Sequence, residues 1–288
     1  MAIPVLGVIG GSGVYDIAGL ENPRQIAIDT PFGAPSDELV RGRLGGTELL
    51  FLPRHGRGHR IAPHLINYRA NVCAMKLAGA THLVSLSAVG SMREDIAPGD
   101  VVIVDQYIDF TRRREGTFFD QGVVAHVSLA DPVCPLLARA AAGAARRAGA
   151  KVHEGGSYVC IEGPQFSTRA ESFLFRSFGV AVIGMTAMPE ARLAREAELP
   201  YSTIAFSTDY DSWHETEAAV SVEAVVAVLR QNADLAKRIV VELARSLPNT
   251  DESPATGALA HAVITAKDHI DAAARARLGW LIGAYLKE

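Results

Sequence analysis

Short apolar runs that end in small residues recur along the chain, at 5–9, 49–52, 83–86, 101–104, 180–183 and 203–206. A strand with one wet face alternates polar and apolar residues, so an unbroken apolar run belongs to a strand covered on both faces. Segments of helical spacing lie between several of these runs. Residues 64–77 carry Leu65, Ile66, Val72, Met75 and Leu77. Residues 135–147 are rich in Ala and Arg, both good helix formers. Thr168 and Glu171 have capping-box spacing, so a helix is predicted to start there. Residues 221–247 read as one long amphipathic helix. Strands alternating with helices predict an α/β fold with a sheet covered on both faces. Residues 248–257, rich in Pro, Asn, Thr, Asp and Ser, read as a linker, and two more helical stretches follow. The chain thus reads as one domain, 1–288, with a C-terminal helical appendage over 248–288.

With 49% hydrophobic and 21% charged residues, 288 residues can bury a sizeable core. A net charge of −4 gives no footprint for nucleic acid. The run Arg112, Arg113, Arg114 is short and meets Glu115, and it reads as a solvated loop. No segment reaches the ~18 apolar residues of a membrane span. The apolar N-terminus lacks a preceding basic region, so it reads as a buried strand rather than a signal peptide. Cys73, Cys134 and Cys160 are scattered, with neither metal spacing nor a disulfide framework, which suits a reducing cytoplasm.

Several strand ends carry chemistry. Gly10-Gly11-Ser12-Gly13 follows the first strand. It is either a tight turn or a backbone cradle for an anion, with Ser12 adding a hydroxyl. A dinucleotide fingerprint fits worse, because no helical pattern follows. Pro53 to Arg60 places Arg54, His55 and His59 among glycines at the end of the 49–52 run. It is an exposed basic loop or a binding loop; Arg offers a donor fork for phosphate, and α/β ligands gather at such strand ends. Ser85 to Ser91 adds hydroxyls, including Ser87. Residues 161–168 set Phe166 after a Gly-Pro turn, as core or as a face for a planar ligand. Residues 184–190 form another strand-to-helix junction. Asp209 and Asp211, at i and i+2 in a segment read as extended, are predicted to share a side. A metal there lacks further ligands other than His214, so none is expected.

In order, these segments resemble the trimeric purine nucleoside phosphorylase family, and more closely its 5'-methylthioadenosine phosphorylase branch. The stretches are GVIGGSGVYD, DTPFGAPSD, LPRHGRGHRIAPHLINYRAN, SAVGSMRE, PGDVVIVDQYIDFT, IEGPQFSTRAES, GMTAMPEARLAREA and STDYDSW. The resemblance runs from about residue 6 to about 247. It implies a three-layer α/β/α nucleoside phosphorylase fold with a mixed, partly barrel-like sheet. It also implies a homotrimer or dimer of trimers, small-molecule nucleoside and phosphate as partners, and no cofactor, inorganic phosphate being a co-substrate. By the same resemblance, Ser12, Arg54, His55, Ser87, Ala88 and Thr186 would form the phosphate site. Met185 would lie along the ribose, with Phe166 and Ser167 flanking the purine and Asp209 and Asp211 at its edge. His59, Val222 and Val225 would line a 5' pocket, with His126 entering from a neighbouring subunit. The family often has threonine where this chain has Ser12 and Ser87; the hydroxyl survives.

Phosphorolysis of an N-glycosidic bond needs a held nucleophile, a stabilised oxocarbenium ion and a protonated leaving purine. Asp209 is the candidate acid, since burial beside Asp211 would raise its pKa. A protonated carboxyl donates to N7 and accepts from a 6-amino group, which favours adenine. A 6-oxo purine such as methylthioinosine, inosine or guanosine is the alternative. A non-catalytic anion-binding module is a third reading, and it leaves the two aspartates unexplained.

Overall fold

The computed structural model describes residues 3–11, 17–214 and 222–286, with the backbone alone over 222–231. The elements run β1 (Val5–Gly10), β2 (Glu21–Ile26), β3 (Leu39–Leu44), β4 (Thr47–Pro53), α1 (Tyr68–Leu77), β5 (His82–Ser91), β6 (Val101–Val104), β7 (Gln106–Asp109), α2 (Pro135–Arg147), β8 (Val152–Glu154), β9 (Ser157–Cys160), α3 (Arg169–Ser177), β10 (Val182–Gly184), α4 (Ala187–Glu196), β11 (Tyr201–Asp209), α5 (Val222–Ala244) and α6 (Ala272–Ile282). The fold is α/β, with one mixed sheet and helices around it, as expected.

The sheet is built around β5, which pairs in parallel with β1 and β11 and antiparallel with β10. On one side the order continues β1, β4, β3, β2. On the other side the sheet closes on itself. β11 pairs with β6, β6 with β8, β9 with β10, and β10 with β5. β6 runs into β7 through Asp105, and β8 into β9 through Gly155 and Gly156, so two bent strands complete the ring. This is the barrel-like part.

Two apolar layers flank the sheet, and period-2 alternation sorts the residues of β1 and β4 between them. Val5, Ile9, Leu50 and Leu52 face the layer of α1, α4 and the C-terminal α6. Leu6, Val8, Leu49 and Phe51 face α2 and α5. A smaller cluster under α3 joins Met92, Val159, Phe175, Ile183 and Trp213.

Two expectations change. The helix expected from residue 64 begins at Tyr68, where the Asn67 side chain accepts the Ala70 N–H; Pro63–Leu65 form a separate 3-10 turn. The tail holds one α-helix, α6, where two helical stretches were expected, because 254–262 fold as successive turns. The tail packs against the rest of the chain. Trp280 packs edge-on against Phe118 at 5.2 Å, Arg277 pairs with Asp120 at 2.7 Å, and Tyr285 donates to Glu198 at 2.7 Å.

Candidate active site

The carboxyl ends of the parallel strands β1, β4 and β5 converge, and Arg54 sits where they meet. Its backbone N–H donates to the Gly10 carbonyl at 2.9 Å. Its guanidinium donates to Ile9 O, Leu86 O and Ser85 Oγ, and to both oxygens of Glu190 at 2.8 and 3.1 Å. Both members of this ion pair are buried, at 2% and 0% side-chain exposure. Burial opposes the charge on Arg54, but the Glu190 carboxylate more than offsets it and holds the pKa above its ordinary value. Among the described residues Nη1 meets only the Leu86 carbonyl.

His55 is held differently. Its Nδ1–H donates to the Ile61 carbonyl at 2.8 Å, which leaves Nε2 as the acceptor of a neutral ring. Burial pushes its pKa down to about 4, despite that hydrogen bond. The ring of His59, with φ 54°, stacks on it at 4.1 Å.

Across the strand ends, Ser87 Oγ lies 3.3 Å from Thr186 Oγ1 and 3.1 Å from the Tyr158 hydroxyl. Tyr158 is buried, and burial pushes its pKa up to about 12, so it remains a hydroxyl at neutral pH. Gly184 makes room for it, because a Cβ there would overlap the phenol oxygen. Ala88 follows Ser87 on β5 and pairs with Phe206 of β11.

Met185 leads into α4, and its thioether lies where a Cβ on Gly163 would be; Gly163, at φ 65°, opens the loop that carries Phe166 and Ser167. Phe166 is 44% exposed, so it is not a core residue. Ser167 is buried and its hydroxyl has no partner among the described residues. Its carbonyl accepts from Ser212 Oγ at 3.1 Å.

Asp209 and Asp211 do meet, but not as alternate residues of an extended strand. β11 ends at Asp209, and Asp211 opens a 3-10 turn with φ 52°. The turn aims the Asp211 N–H at Asp209 Oδ1, 2.8 Å away, while Thr208 Oγ1 donates to Oδ2 at 2.6 Å. Burial raises the Asp209 pKa against both bonds. Burial also raises that of Asp211, which accepts from the Ser172 hydroxyl of α3 and lies near the Asp209 charge.

Arg54 thus bonds the Leu86 carbonyl next to Ser87, Ser87 meets Thr186, Ser212 ties in Ser167, and Asp211 meets Asp209. His126 stays apart: it is exposed, and its backbone N–H donates to Ala262 O. Ser12 and the side chains of Val222 and Val225 lie outside the described residues. The sequence reading passed over Glu190 and Tyr158. Glu190 lies inside the 184–190 segment, but its partner is 136 residues away. The reading of Arg112, Arg113 and Arg114 as a solvated loop needs correction, because the Arg114 side chain is 2% exposed.

A mixed α/β sheet that closes on one side gathers hydroxyl, guanidinium and carboxyl groups at its strand ends, as an α/β enzyme site does. Residues 5–245 match the Phosphorylase superfamily, and the chain belongs to that family. The S-methyl-5'-thioadenosine phosphorylase of Geobacter sulfurreducens is 55% identical over 283 residues, covering 98% of this chain and 99% of that protein. A methylthioadenosine phosphorylase from an Antarctic soil metagenomic library superposes with a TM-score of 0.91 at 45% identity, covering 97% of this chain and 99% of the other. The methylthioadenosine phosphorylase of Schistosoma mansoni, solved in complex with adenine, gives 0.79 at 39% identity, covering 84% and 91%.

Proposed function

We propose that the protein cleaves 5'-methylthioadenosine with inorganic phosphate, giving adenine and 5-methylthioribose 1-phosphate. The observation that carries this reading is the half-buried Asp209 carboxyl at the end of β11, on the sheet whose strand ends also carry Arg54, Ser87 and Thr186.

Phosphate would meet Nη1 of Arg54 and the hydroxyls of Ser87 and Thr186, with the backbone at Ala88 and Ser12 completing the site. Glu190 already neutralises Arg54, and His55 is uncharged. The pocket therefore keeps the negative charge of bound phosphate largely uncancelled beside C1' of the ribose, where it stabilises the oxocarbenium ion. His55 Nε2 can accept a hydrogen bond from a P–OH but cannot donate one.

The ribose would lie along Met185, and the purine between Phe166 and Ser167. The exposed ring of Phe166 offers a face for stacking, and the unpartnered Ser167 hydroxyl offers a hydrogen bond. Desolvation raises the Asp209 pKa, which favours its acid form; that form would give its proton to N7 as the glycosidic bond breaks, so the base leaves neutral. Its other oxygen accepts from the 6-amino group. A 6-oxo purine would bring an acceptor to that place. kcat/KM for methylthioadenosine should exceed that for methylthioinosine by at least tenfold, the worth of one mispaired buried hydrogen bond of about 1.4 kcal/mol or more. Equal values for the two would refute the role of Asp209 in base selection.

His59, Val222 and Val225 complete the reading as the lining of the 5' pocket, with His126 supplied by a neighbour. Support for a homotrimer comes from the exposed position of His126 and from Phe173, Leu174 and Phe178, which are exposed around α3. The three free, buried cysteines suit the reducing cytoplasm. Among the described residues no helix is long and apolar enough to cross a membrane.

A further inference from the structure

Arg114 belongs to none of the groups above, yet it touches the backbone beneath two of them. It lies on the loop after β7. Its Nη1 donates to the carbonyls of Met185 at 2.7 Å and Met188 at 2.6 Å, and to Tyr68 Oη at 2.9 Å. Its Nη2 donates to the carbonyls of Ile161 at 3.2 Å and Glu162 at 2.8 Å. Its Nε meets Glu162 Oε1 at 3.0 Å. The other Glu162 oxygen accepts the backbone N–H groups of Arg112 at 2.6 Å and Arg113 at 3.0 Å, so the arginine loop and the end of β9 grip each other. Met188, with φ −115° and ψ 134°, breaks the helical run of α4, and its carbonyl is turned to the guanidinium.

One planar cation therefore fixes two backbone segments at once. One leads from Ile161 into the loop of Phe166 and Ser167. The other carries Met185 and Thr186. We propose that Arg114 is a positioning residue that sets the distance between the purine-binding loop and the ribose- and phosphate-binding loop. This rests on the binding roles given under Proposed function. Each loop can hold its own fragment without Arg114, but a whole nucleoside, and the attack of phosphate on it, needs both loops in register. A misplacement of about 1 Å can cost on the order of 100-fold in rate. Lysine cannot replace it, because a single ammonium offers three donors from one point and cannot span both pairs of carbonyls.

The test uses full-length Arg114→Lys, Arg114→Gln and the milder Glu162→Gln, which removes the carboxylate partner alone. Turnover of methylthioadenosine is measured per folded site, alongside calorimetric Kd values for adenine alone and phosphate alone. The expected result is a 10- to 100-fold loss of kcat/KM in both Arg114 variants and a smaller loss of the same kind in Glu162→Gln, with both fragment Kd values within about threefold of wild type. Retained kcat/KM in the folded variants overturns the proposal. So does a tenfold loss of affinity for one fragment alone, since Arg114 would then serve one pocket and not the spacing between two. Phe166→Ala in the otherwise unchanged protein is the separate control: if adenine binds it as tightly as wild type, the purine-loop assignment fails whatever Arg114 does.

Discussion

Glu190→Gln removes the countercharge of the buried guanidinium at the centre of the site. In the native protein Arg54 donates to both carboxylate oxygens, and neither side chain is more than 2% exposed. Tyr201 Oη donates to the same carboxylate at 3.0 Å. A glutamine offers one oxygen and an NH2 group, so at least one of these donors would face another donor. The carbonyls of Ile9 and Leu86 and the Ser85 hydroxyl remain, but they carry no charge. Breaking a buried ion pair in this way costs about 3–5 kcal/mol. At roughly 2–4 °C per kcal/mol for chains approaching this length, the melting temperature should fall by roughly 10 °C. Urea unfolding followed by circular dichroism would read the loss as a lower midpoint at constant slope. Replacing both members with methionine should restore much of the loss, because an apolar pair needs no countercharge. A change below about 1 kcal/mol in Glu190→Gln, or a double variant no more stable than the single one, would refute the claim that Glu190 is what allows Arg54 to be buried.

Three further outcomes follow from Asp209 and Glu196. Asp209→Ala should lower kcat by at least about 100-fold, the usual contribution of a general acid, and kcat near the wild-type value would remove Asp209 from that role. In the native enzyme, kcat should fall as pH rises through the elevated Asp209 pKa, because the proton for N7 is then lost; a kcat that is flat on the alkaline side contradicts this. Glu196 is buried against Phe118 N–H and Thr117 Oγ1, and burial pushes its pKa up to about 7 from 4.5. A raised carboxyl pKa favours the folded state fully below the unfolded value, and that contribution is lost as pH rises from about 4.5 through about 7. The loss is on the order of 2–4 kcal/mol, and Glu196→Gln should flatten the unfolding free energy over that range. An equally steep profile in the variant would assign the dependence to other groups.

The parts legible in the sequence are those encoded by neighbouring residues. The runs in β1, β4 and β6 are apolar on both faces, and they form buried strands. The capping box announced α3, and both of its hydrogen bonds form. β2, with the sequence ENPRQI, carries no such pattern; it is an exposed edge held by pairing with β3. The closure of the barrel depends on bends at Asp105 and Gly155-Gly156, whose meaning appears only when β10 and β11 are in place. The same limit applies to the site. Asp209 and Asp211 stand out as a pair, but the turn that points one at the other replaces the extended geometry expected of them. Arg114 sits in a charged run that looks solvated, because the carbonyls that bury it come from Ile161, Glu162, Met185 and Met188.

Phosphate dependence is the most direct test of the whole reading. Purified protein is incubated with 5'-methylthioadenosine, with and without inorganic phosphate, and free adenine and the sugar product are measured. Phosphorolysis predicts adenine release only with phosphate present, together with an equal amount of 5-methylthioribose 1-phosphate. Adenine released at the same rate without phosphate, or accompanied by the free sugar, would contradict it.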